Sequence, residues 1–380
     1  MPKRVLQVAA RTFTLANFAL PLMERLRENG FEAEAFGPRD GFEERLQTKG
    51  FEVHPWTMGH TFSPLGLLGA RRELRRFLQA HRYDIVHVHC SFGGIIGNPV
   101  ACRETGALLY TQHGFYVHEG PDPVRRWAWL RIERIGLRDP HRVICISQAE
   151  RELALTLGVG GEAKFVAVPG AGVRTESFRL AESERQSKRH AVRTSLSVGE
   201  GETVLLTLSR LTWDKGYRDL IGMARRLKAQ GLRFRLLAAG SGKDEIAIRR
   251  AVREADVEEV VSLLGWRDDV IDLYCAADVF VFASYREGLP IAPLEAMASG
   301  LPVVASDLPG CREEIEHERS GLLYPVRNVA ALTEAVMRVV GDQRLAANLG
   351  GEARERARQF DLERVLDLQL QLYHEVAERL

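Results

Sequence analysis

The chain alternates short apolar runs with longer stretches of helical spacing along most of its length. Each run has four to six residues, the length of a buried strand, and enough chain follows each one to form a helix. The runs are Val5–Ala10, Ile85–Val88, Leu108–Thr111, Val143–Ile146, Phe165–Val168 and then Val204–Leu208, Phe234–Ala238, Val260–Leu264, Val279–Phe282, Pro302–Ala305. This order of elements predicts an α/β fold built from parallel sheets.

Two domains are expected, because 380 residues exceed the usual size of a single core. The two series of strands are separated by residues 174–200, which are rich in charged side chains, Ser and Gln. We therefore predict two Rossmann-like domains, residues 1–173 and 174–360, and a C-terminal helix, residues 361–380, that packs back onto the first. Such sheets bind ligands at the carboxyl ends of their strands.

The composition argues against several classes of protein. A formal net charge of +1 is unlike that of a general nucleic-acid-binding protein, although residues 1–175 are net basic. The five cysteines are scattered and include no C-x-x-C pair, which argues against a disulfide framework or a zinc site. The first apolar run ends at Arg11, and no run approaches the ~18 apolar residues of a membrane span, so we expect a cytosolic protein.

The most informative segment carries two glutamates, Glu287 and Glu295, after the strand that ends at Phe282. We interpret it as a loop followed by a helix, with Glu287 in the loop and Glu295 about one and a half turns into the helix. A carboxylate accepts paired hydrogen bonds from a vicinal diol, which both a hexose and a ribose offer. The two carboxylates are therefore predicted to grip one elongated ligand at two points.

The turn between these glutamates contains Gly288, Leu289 and Pro290. Glycine lets a backbone approach a ligand closely, and Pro suits the first turn of a helix, where its missing N–H costs nothing. We expect this turn to face a phosphate group.

A second cluster, Ser209–Gly216, follows the strand Val204–Leu208 and contains Arg210 and Lys215. Positioned Arg and Lys side chains can stabilise the negative charge that grows on a departing nucleoside diphosphate, without a metal ion. The alternative is a solvated basic loop.

Three further positions follow strands. His113 is predicted to hydrogen-bond a sugar hydroxyl or a phosphate, with a purely structural histidine as the alternative. Gly240 and Gly242 form a short glycine loop for a phosphate or a base, and they lack the third glycine of a dinucleotide fingerprint. Trp266, in a turn after another strand, is a candidate nucleobase contact or an ordinary surface residue.

Two more histidines, His87 and His89, share one face of a predicted strand. We do not expect them to bind a metal, because no third ligand has suitable spacing.

Together these segments resemble the retaining glycosyltransferases of family 4, and the similarity extends through nearly the whole chain. Glu287 and Glu295 match the family's E-x7-E motif, Arg210 and Lys215 match its diphosphate-binding pair, and residues 240–242 match its glycine-rich loop. The resemblance implies the GT-B fold, in which two Rossmann-like domains face each other across a cleft. It also implies that residues 1–173 serve the acceptor and residues 174–360 bind the nucleotide-sugar donor.

The family also supplies expected roles. Its first glutamate contacts the transferred sugar and its second the ribose, and a first-domain histidine, here His113, often lies near the donor. Residues 11–17 depart from the Gly-Gly turn found in many members. The segment Tyr110–Phe115, with His118–Gly120, resembles bacterial members that use UDP-hexosamine-type donors to extend lipid-linked or capsular glycans.

The resemblance implies transfer with retention and without a divalent metal or other cofactor, and no D-x-D sequence occurs in the chain. The expected partners are a nucleotide-sugar donor, most readily a UDP-sugar, and a glycan or lipid-linked acceptor. Two alternatives remain open: a nucleotide-sugar epimerase, which would act without an acceptor, and a non-catalytic nucleotide-sugar-binding regulator, which would bind the donor without converting it.

Peripheral contact with an anionic membrane is a further hypothesis. Cationic and aromatic side chains occur together in Arg71–Leu78 and Arg125–Trp129, within the basic half. An ordinary helix with a solvated face is the alternative.

Overall fold

The structure is a computed structural model that describes residues 2–57, 64–115 and 123–380. The chain forms two compact units, Met1–Ala171 with Glu363–Leu380, and Gly172–Leu362. The predicted domain boundary was after residue 173, whereas the N-terminal segment of the first unit ends at residue 171. Next to it, Val173 accepts a backbone hydrogen bond from Leu362 and donates one to Phe360, both at 2.9 Å.

The first unit is built on a seven-stranded sheet in which all described pairings are parallel, in the order β3-β2-β1-β4-β5-β6-β7. The strands are β1 Lys3–Ala9, β2 Phe31–Gly37, β3 Val53–Pro55, β4 Ile85–His89, β5 Ala107–Gln112, β6 Arg142–Cys145 and β7 Phe165–Ala167.

Helices connect these strands. They are α1 Thr12–Thr14, which continues through a π-helical turn at Leu15–Ala19 into α2 Leu20–Glu28, then α3 Glu43–Thr48, α4 Pro64–Ala80, α5 Cys90–Ala101, α6 Pro123–Arg138 and α7 Gln148–Thr156. Apolar side chains from the central strands and from α4 and α5 form the main core of this unit.

The second unit has a six-stranded parallel sheet in the order β10-β9-β8-β11-β12-β13. Its strands are β8 Thr203–Leu208, β9 Phe234–Ala239, β10 Val261–Gly265, β11 Val279–Phe282, β12 Val303–Ser306 and β13 Leu322–Tyr324. Its helices are α8 Glu182–Ser195, α9 Tyr217–Ala229, α10 Glu245–Glu254, α11 Val270–Ala276, α12 Ile291–Ala298, α13 Pro309–Glu314, α14 Val329–Gly341 and α15 Gln343–Ala357.

The last helix, α16 Leu362–Ala377, returns to the first unit. Val365 and Leu372 pack against Ile144 and Val168. Arg25 forms ion pairs with two carboxylates near the start of this helix. The C-terminal helix is therefore part of the core of the first unit.

The α/β fold with two parallel sheets is confirmed, and all ten predicted strands are present to within two residues at each end. The prediction missed β2, β3 and β13. Strand β2 contains Glu32 and Glu34, which interrupt an apolar run, while β3 and β13 have only three residues each and lie at sheet edges.

Among the described residues, no helix combines the length and the apolar character needed to cross a bilayer.

Candidate functional site

The second unit places Arg210, Lys215 and Glu287 where the order of its strands reverses. Strands β8, β9 and β10 extend to one side, and β11, β12 and β13 to the other. Adjacent strands β8 and β11 pair in register, with Leu205 opposite Val279. Because the connections leave such a pair in opposite directions, a crevice opens at the carboxyl ends of the two strands. The loop after β8 carries Arg210 and Lys215, and the loop after β11 carries Glu287.

Lys215 and Glu287 form an ion pair across this reversal point. Nζ of Lys215 lies 2.5 Å from Oε1 of Glu287, and the two side chains are 11% and 18% exposed. Each charge stabilises the other, because an unpaired charge that is largely removed from water is energetically costly. An ammonium group has three N–H bonds, and this contact uses one of them. The pair thus leaves donors for a further anion.

Gly216 explains how Lys215 is held so close to the other loop. Its φ is +76°, and a Cβ at this position would lie 1.8 Å from the carbonyl oxygen of Ala283. The amide of Tyr285 also donates to the carbonyl of Asp214 at 2.8 Å. Since only glycine fits this position, the backbone contact between the two loops depends on it.

Gly240 and Gly242 also allow the backbones of two loops to pack closely together. A Cβ on Gly240, whose φ is +142°, would lie 2.0 Å from the carbonyl oxygen of Ser209, and one on Gly242 would lie 2.3 Å from that of Leu211. The glycines thus let the loop after β9 rest directly on the loop that carries Arg210. Their contact with a phosphate or a base stays a prediction.

Arg210 is the exposed cation of the cluster. Its side chain is 68% exposed, and Nη2 lies 3.8 Å from Oδ2 of Asp214. Burial opposes ionisation of Asp214, but the Thr212 hydroxyl and the charges of Lys215 and Arg210 outweigh it and hold the pKa of that carboxyl below its ordinary value. The cluster therefore contains ionised groups of both signs.

Glu295 lies on α12 in a different environment. Burial raises the pKa of its carboxyl to about 7, although a hydrogen bond with Tyr274 acts in the opposite direction. The Tyr274 hydroxyl lies 2.9 Å from Oε2 of Glu295 and 3.0 Å from the carbonyl oxygen of Ala292. No motif pointed to Tyr274. Burial therefore makes Glu295 a carboxyl group that changes charge near neutral pH, in spite of the Tyr274 contact.

The turn before α12 differs in two details from the prediction. Pro290 lies at the N-cap, one residue before the helix begins, rather than in the first helical turn. The side chain of Leu289 is only 8% exposed, so this residue can offer a ligand little besides its backbone. A Cβ on Gly310, at the start of α13, would lie 2.0 Å from the carbonyl oxygen of Gly288. Gly310 thus supports the turn from behind and was missed by the sequence analysis.

Glu314, at the end of α13, is a further acidic group that the sequence did not single out. It has no exposed surface, and no described residue hydrogen-bonds to either carboxyl oxygen. Burial and then the charge of Glu287 hold the pKa of Glu314 far above its ordinary value. This environment therefore favours the protonated form of the side chain.

Trp266 follows β10 at the edge of the sheet. Its side chain is 71% exposed, and its Nε1 donates to Oδ1 of Asp268 at 2.9 Å. The neighbouring Gly265 accepts a backbone hydrogen bond from Gly240 at 2.8 Å, which ties this turn to the glycine loop. Contact with a nucleobase stays a prediction.

His113 belongs to the first unit, where it directly follows β5. Its Nε2 lies 3.1 Å from Nδ1 of His89, and its ring centroid is 5.5 Å from that of Phe18. Burial lowers the pKa of His113 to about 4, so its ring is neutral at pH 7.

His87 and His89 are engaged in hydrogen bonds. His87 bonds to Tyr373 and Thr111 at 2.6 and 2.7 Å, and His89 bonds to Gln7 at 2.7 Å as well as to His113. The sequence pattern placed the two histidines on one sheet face but did not reveal these partners.

Elsewhere in the first unit, Glu34, Glu52 and His54 lie close enough together to share a metal ion. Glu34, however, already accepts hydrogen bonds from Arg4 and Tyr83. The predicted site residues do not take part in this cluster.

Comparison with known proteins identifies the family. The family model described as glycosyl transferases group 1 matches residues 188–356, which include the loops of Lys215 and Glu287. A second model, described as a glycosyl transferase 4-like domain, matches residues 14–171. The chain belongs to the group 1 glycosyltransferases.

Several relatives match over most of their length. A candidate glycosyltransferase of Bacillus subtilis, EpsD, is 28% identical over 98% of this chain and 97% of its own. The N,N'-diacetylbacillosaminyl-diphospho-undecaprenol alpha-1,3-N-acetylgalactosaminyltransferase of Campylobacter jejuni is 25% identical over 96% of each chain. The UDP-Gal:alpha-D-GlcNAc-diphosphoundecaprenol alpha-1,3-galactosyltransferase of Escherichia coli is 26% identical over 71% of this chain and 70% of its own.

Solved structures confirm the fold. The crystal structure of Anabaena Alr3699/HepE in complex with UDP superposes with a TM-score of 0.83 over 99% of this chain and 100% of that one, at 20% identity. The same Anabaena protein in complex with UDP-glucose gives a TM-score of 0.81 at 21% identity. The GT-B fold implied by the sequence resemblance is thus confirmed.

Proposed function

We propose that this glycosyltransferase is a retaining, metal-independent member of family 4. It transfers a hexose or an N-acetylhexosamine from a UDP-sugar to a glycan or lipid-linked acceptor. The observation that carries the proposal is the Lys215–Glu287 pair, which puts a cation and a carboxylate at the reversal point of the second sheet. The names of the Campylobacter and Escherichia relatives, which act on diphospho-undecaprenol-linked sugars, support the acceptor class.

The donor contacts follow from the charges. A diphosphate is held by the free N–H donors of Lys215, by Arg210 and by backbone amides near Gly288. Glu287 accepts hydrogen bonds from hydroxyls of the transferred sugar, and His113 orients the same sugar. Glu295, which lies on the helix behind this turn, accepts hydrogen bonds from the ribose.

Donor binding is expected to change the charge of Glu295. Glu287 pairs with Lys215 through one carboxyl oxygen, and its other oxygen is proposed to accept from the sugar. Glu295 has a pKa of about 7 and must lose its proton to accept hydrogen bonds with both oxygens. The ribose therefore favours the ionised form of Glu295, and donor binding releases part of a proton at neutral pH.

The transfer step needs no covalent enzyme intermediate. The acceptor oxygen bonds to the anomeric carbon on the face from which UDP departs, while the bond from that carbon to the phosphate oxygen breaks. The proton of the acceptor hydroxyl passes to the departing phosphate oxygen. Lys215 and Arg210 stabilise the negative charge that develops on the diphosphate, and this stabilisation lowers the barrier.

Metal independence is proposed because fixed cations occupy the place where a metal would neutralise the diphosphate. Activity should therefore persist in excess EDTA. A requirement for added Mg²⁺ or Mn²⁺ would contradict this part of the proposal.

A transfer assay tests the whole proposal. The protein is incubated with UDP-glucose, UDP-galactose, UDP-N-acetylglucosamine or UDP-N-acetylgalactosamine and a polyprenyl-diphosphate-linked sugar, and the product linkage is read by NMR. We expect transfer that depends on the acceptor and an α-linked product from an α-linked donor. An inverted product would refute retention.

The alternatives give different outcomes in the same assay. An epimerase would convert the donor without any acceptor, whereas a regulator would bind a UDP-sugar and leave it unchanged with every acceptor. Either result would refute the transferase.

We also propose that the protein acts at the cytoplasmic face of a membrane, where lipid-linked acceptors reside. Val124 and Trp127 on α6 are 72% and 60% exposed, and Leu65 on α4 is 81% exposed. The side chains of Arg125 and Arg126 lie outside the described part of the chain, as do His118–Gly120. Flotation with anionic liposomes at low salt tests the contact. Absence of co-flotation, or equal co-flotation of Trp127→Ser, would refute it.

A further inference from the structure

A buried chain of polar side chains runs behind His113 in the first unit. It consists of Tyr373 from α16, Gln7 from β1, His87 and His89 from β4, Thr111 from β5 and His113 itself. Gln7, His87 and Tyr373 have no exposed surface, and His89 and Thr111 are 2% and 5% exposed. Buried polar groups are costly unless they are paired. The protons in this chain must therefore be arranged so that each contact joins a donor to an acceptor.

The orientation of the Gln7 amide determines the donor-to-acceptor direction of the hydrogen bonds in this buried chain of side chains. Its Nε2 donates to the Tyr373 hydroxyl at 2.7 Å, and its Oε1 lies 2.7 Å from Nε2 of His89. An amide oxygen only accepts hydrogen bonds, so Nε2 of His89 must carry a proton.

The state of His113 then follows. Burial, together with the neighbouring His87 and His113, holds the pKa of His89 well below its ordinary value, so His89 is neutral and its Nδ1 has no proton. That Nδ1 lies 3.1 Å from Nε2 of His113, which must donate to it. Since His113 is also neutral, its own Nδ1 is left with a lone pair.

The hydrogen bonds of Tyr373, His87 and Thr111, at the other end of this buried chain of side chains, are consistent with the same donor-to-acceptor direction. The Tyr373 hydroxyl accepts from Gln7, so its proton is available for Nδ1 of His87 at 2.6 Å. The proton of His87 then lies on Nε2, which donates to the hydroxyl oxygen of Thr111 at 2.7 Å. Every contact has one donor and one acceptor.

We propose that Gln7, His89 and Tyr373 are positioning residues that hold the proton of His113 on Nε2 and leave Nδ1 as a hydrogen-bond acceptor. The ligand group that His113 meets is then a hydroxyl of the donor sugar and not a phosphate oxygen, because two acceptors do not bond. This choice of ligand group rests on the proposed function, but the proton position does not. No described residue hydrogen-bonds to Nδ1 of His113.

Rotation of one amide would reverse the arrangement. If Gln7 turned over, its Nε2 would face His89 and each proton between Gln7 and His113 would move to the opposite nitrogen. His113 would then carry its proton on Nδ1 and act as a donor to its ligand. Tyr373 couples this rotation to the rest of the chain, because the protons of Tyr373, His87 and Thr111 would then have to reverse as well.

Nitrogen-15 NMR of histidine-labelled protein without ligand tests the proton position. The His113 signals are assigned by their loss in His113→Gln. We expect a neutral ring with the proton on Nε2 at pH 7. A proton on Nδ1 would overturn the proposal.

A binding experiment tests the positioning role. Tyr373→Phe removes only the hydroxyl that holds Gln7, and Tyr83→Phe is its control, because Tyr83 is buried in the same unit and bonds to Glu34 instead. We expect Tyr373→Phe to give a mixture of the two proton positions on His113. It should also weaken UDP-glucose or UDP-N-acetylglucosamine binding roughly 3- to 10-fold, the effect of one hydrogen bond. Binding of UDP should not change in either variant.

The outcomes separate this proposal from the proposed function. If Tyr373→Phe and Tyr83→Phe give the same NMR spectrum for His113 and the same UDP-sugar affinity, the buried chain is only structural and the positioning role is wrong. Gln7→Met provides a second variant, and it should reproduce the effect of Tyr373→Phe. If the wild-type protein binds neither UDP nor any UDP-sugar, the proposed function fails while the NMR result still decides the proton position.

Discussion

The two units present different chemistry at the carboxyl ends of their strands. The second unit offers charged groups in contact, Lys215 and Glu287, in a crevice that also holds the exposed Arg210. The first unit offers His113, which burial keeps neutral, with a chain of neutral side chains behind it. Fixed positive charge favours the binding of a diphosphate. A neutral histidine that can only accept a hydrogen bond favours a hydroxyl group over a phosphate oxygen. The comparison teaches that the same type of sheet can present opposite electrostatic environments at its strand ends, fixed charges in one unit and a neutral group of fixed direction in the other.

The largest effect is expected when the cation of the charged pair in the second unit is removed. Lys215→Ala should lower turnover by roughly 100- to 1000-fold, because the growing charge on the diphosphate loses its fixed donor. The fold should persist by circular dichroism. Lys228→Ala is the control, since Lys228 also pairs with carboxylates in the same unit, on α9. Near-normal turnover of Lys215→Ala would refute its role.

The next effect tests the loop packing that places the charged pair. Gly216 and Gly231 both have φ of +76°, but a Cβ on Gly216 would strike the carbonyl of Ala283 whereas one on Gly231 meets nothing within 4 Å. Both alanine variants carry the strain of a left-handed residue, and only Gly216→Ala adds the clash. We expect Gly216→Ala to lose about 1–3 kcal/mol more free energy of unfolding in urea than Gly231→Ala. Equal losses would show that the close contact is unimportant.

His113 and Glu295 should contribute to the stability of their units with opposite pH dependence. The pKa of His113 is lowered to about 4, so between that value and its ordinary 6.5 the unfolded chain binds a proton that the folded chain does not. Its contribution to stability is therefore lost as the pH falls, by up to about 1.4 kcal/mol per pH unit. The pKa of Glu295 is raised to about 7, so between 4.5 and 7 the folded chain keeps a proton that the unfolded chain loses. Its contribution falls as the pH rises.

Hydrogen exchange followed by mass spectrometry can read each unit separately at pH 5 and pH 7. His113→Gln should reduce the acid sensitivity of β4 and β5, and Glu295→Gln should stabilise α12 more at pH 7 than at pH 5. If both variants change exchange in the same direction with pH, the contrast between the units is wrong.

The smallest expected effect is on the pH dependence of donor binding. If only ionised Glu295 binds the ribose, UDP-glucose affinity should rise about tenfold between pH 6 and pH 8, for a pKa of about 7. A UDP-sugar is used because its diphosphate has no proton that titrates in this range. Isothermal titration calorimetry measures the change. Glu295→Gln should abolish it, and a wild-type affinity that does not vary with pH would contradict the ribose contact.

Much of the fold could be predicted because apolar runs of strand length repeat along the chain. Strand β2 escaped because Glu34 lies in it, yet that carboxylate is satisfied by Arg4 and Tyr83, which lie far away in sequence. Local pattern carries no information about such partners. Helix α16 was expected from its helical spacing, but its Tyr373 contact with Gln7 joins residues at the two ends of the chain.

The site was predictable in part. Lys215 and Glu287 were each identified from loop position and family motif, but their ion pair depends on which strands are neighbours in the sheet. The sequence shows glycines at positions 216 and 240, but it does not show why they are required. The carbonyl oxygens that exclude a Cβ at these positions lie on other loops. The raised pKa of Glu295 depends on burial, which the spacing of motif residues does not reveal.

A crystal structure with UDP bound tests the central claim most directly. We expect phosphate oxygens about 3 Å from Nζ of Lys215 and ribose hydroxyls at the same distance from the Glu295 carboxylate. Density for UDP that leaves Lys215 paired only with Glu287, with the ribose away from Glu295, would contradict the account.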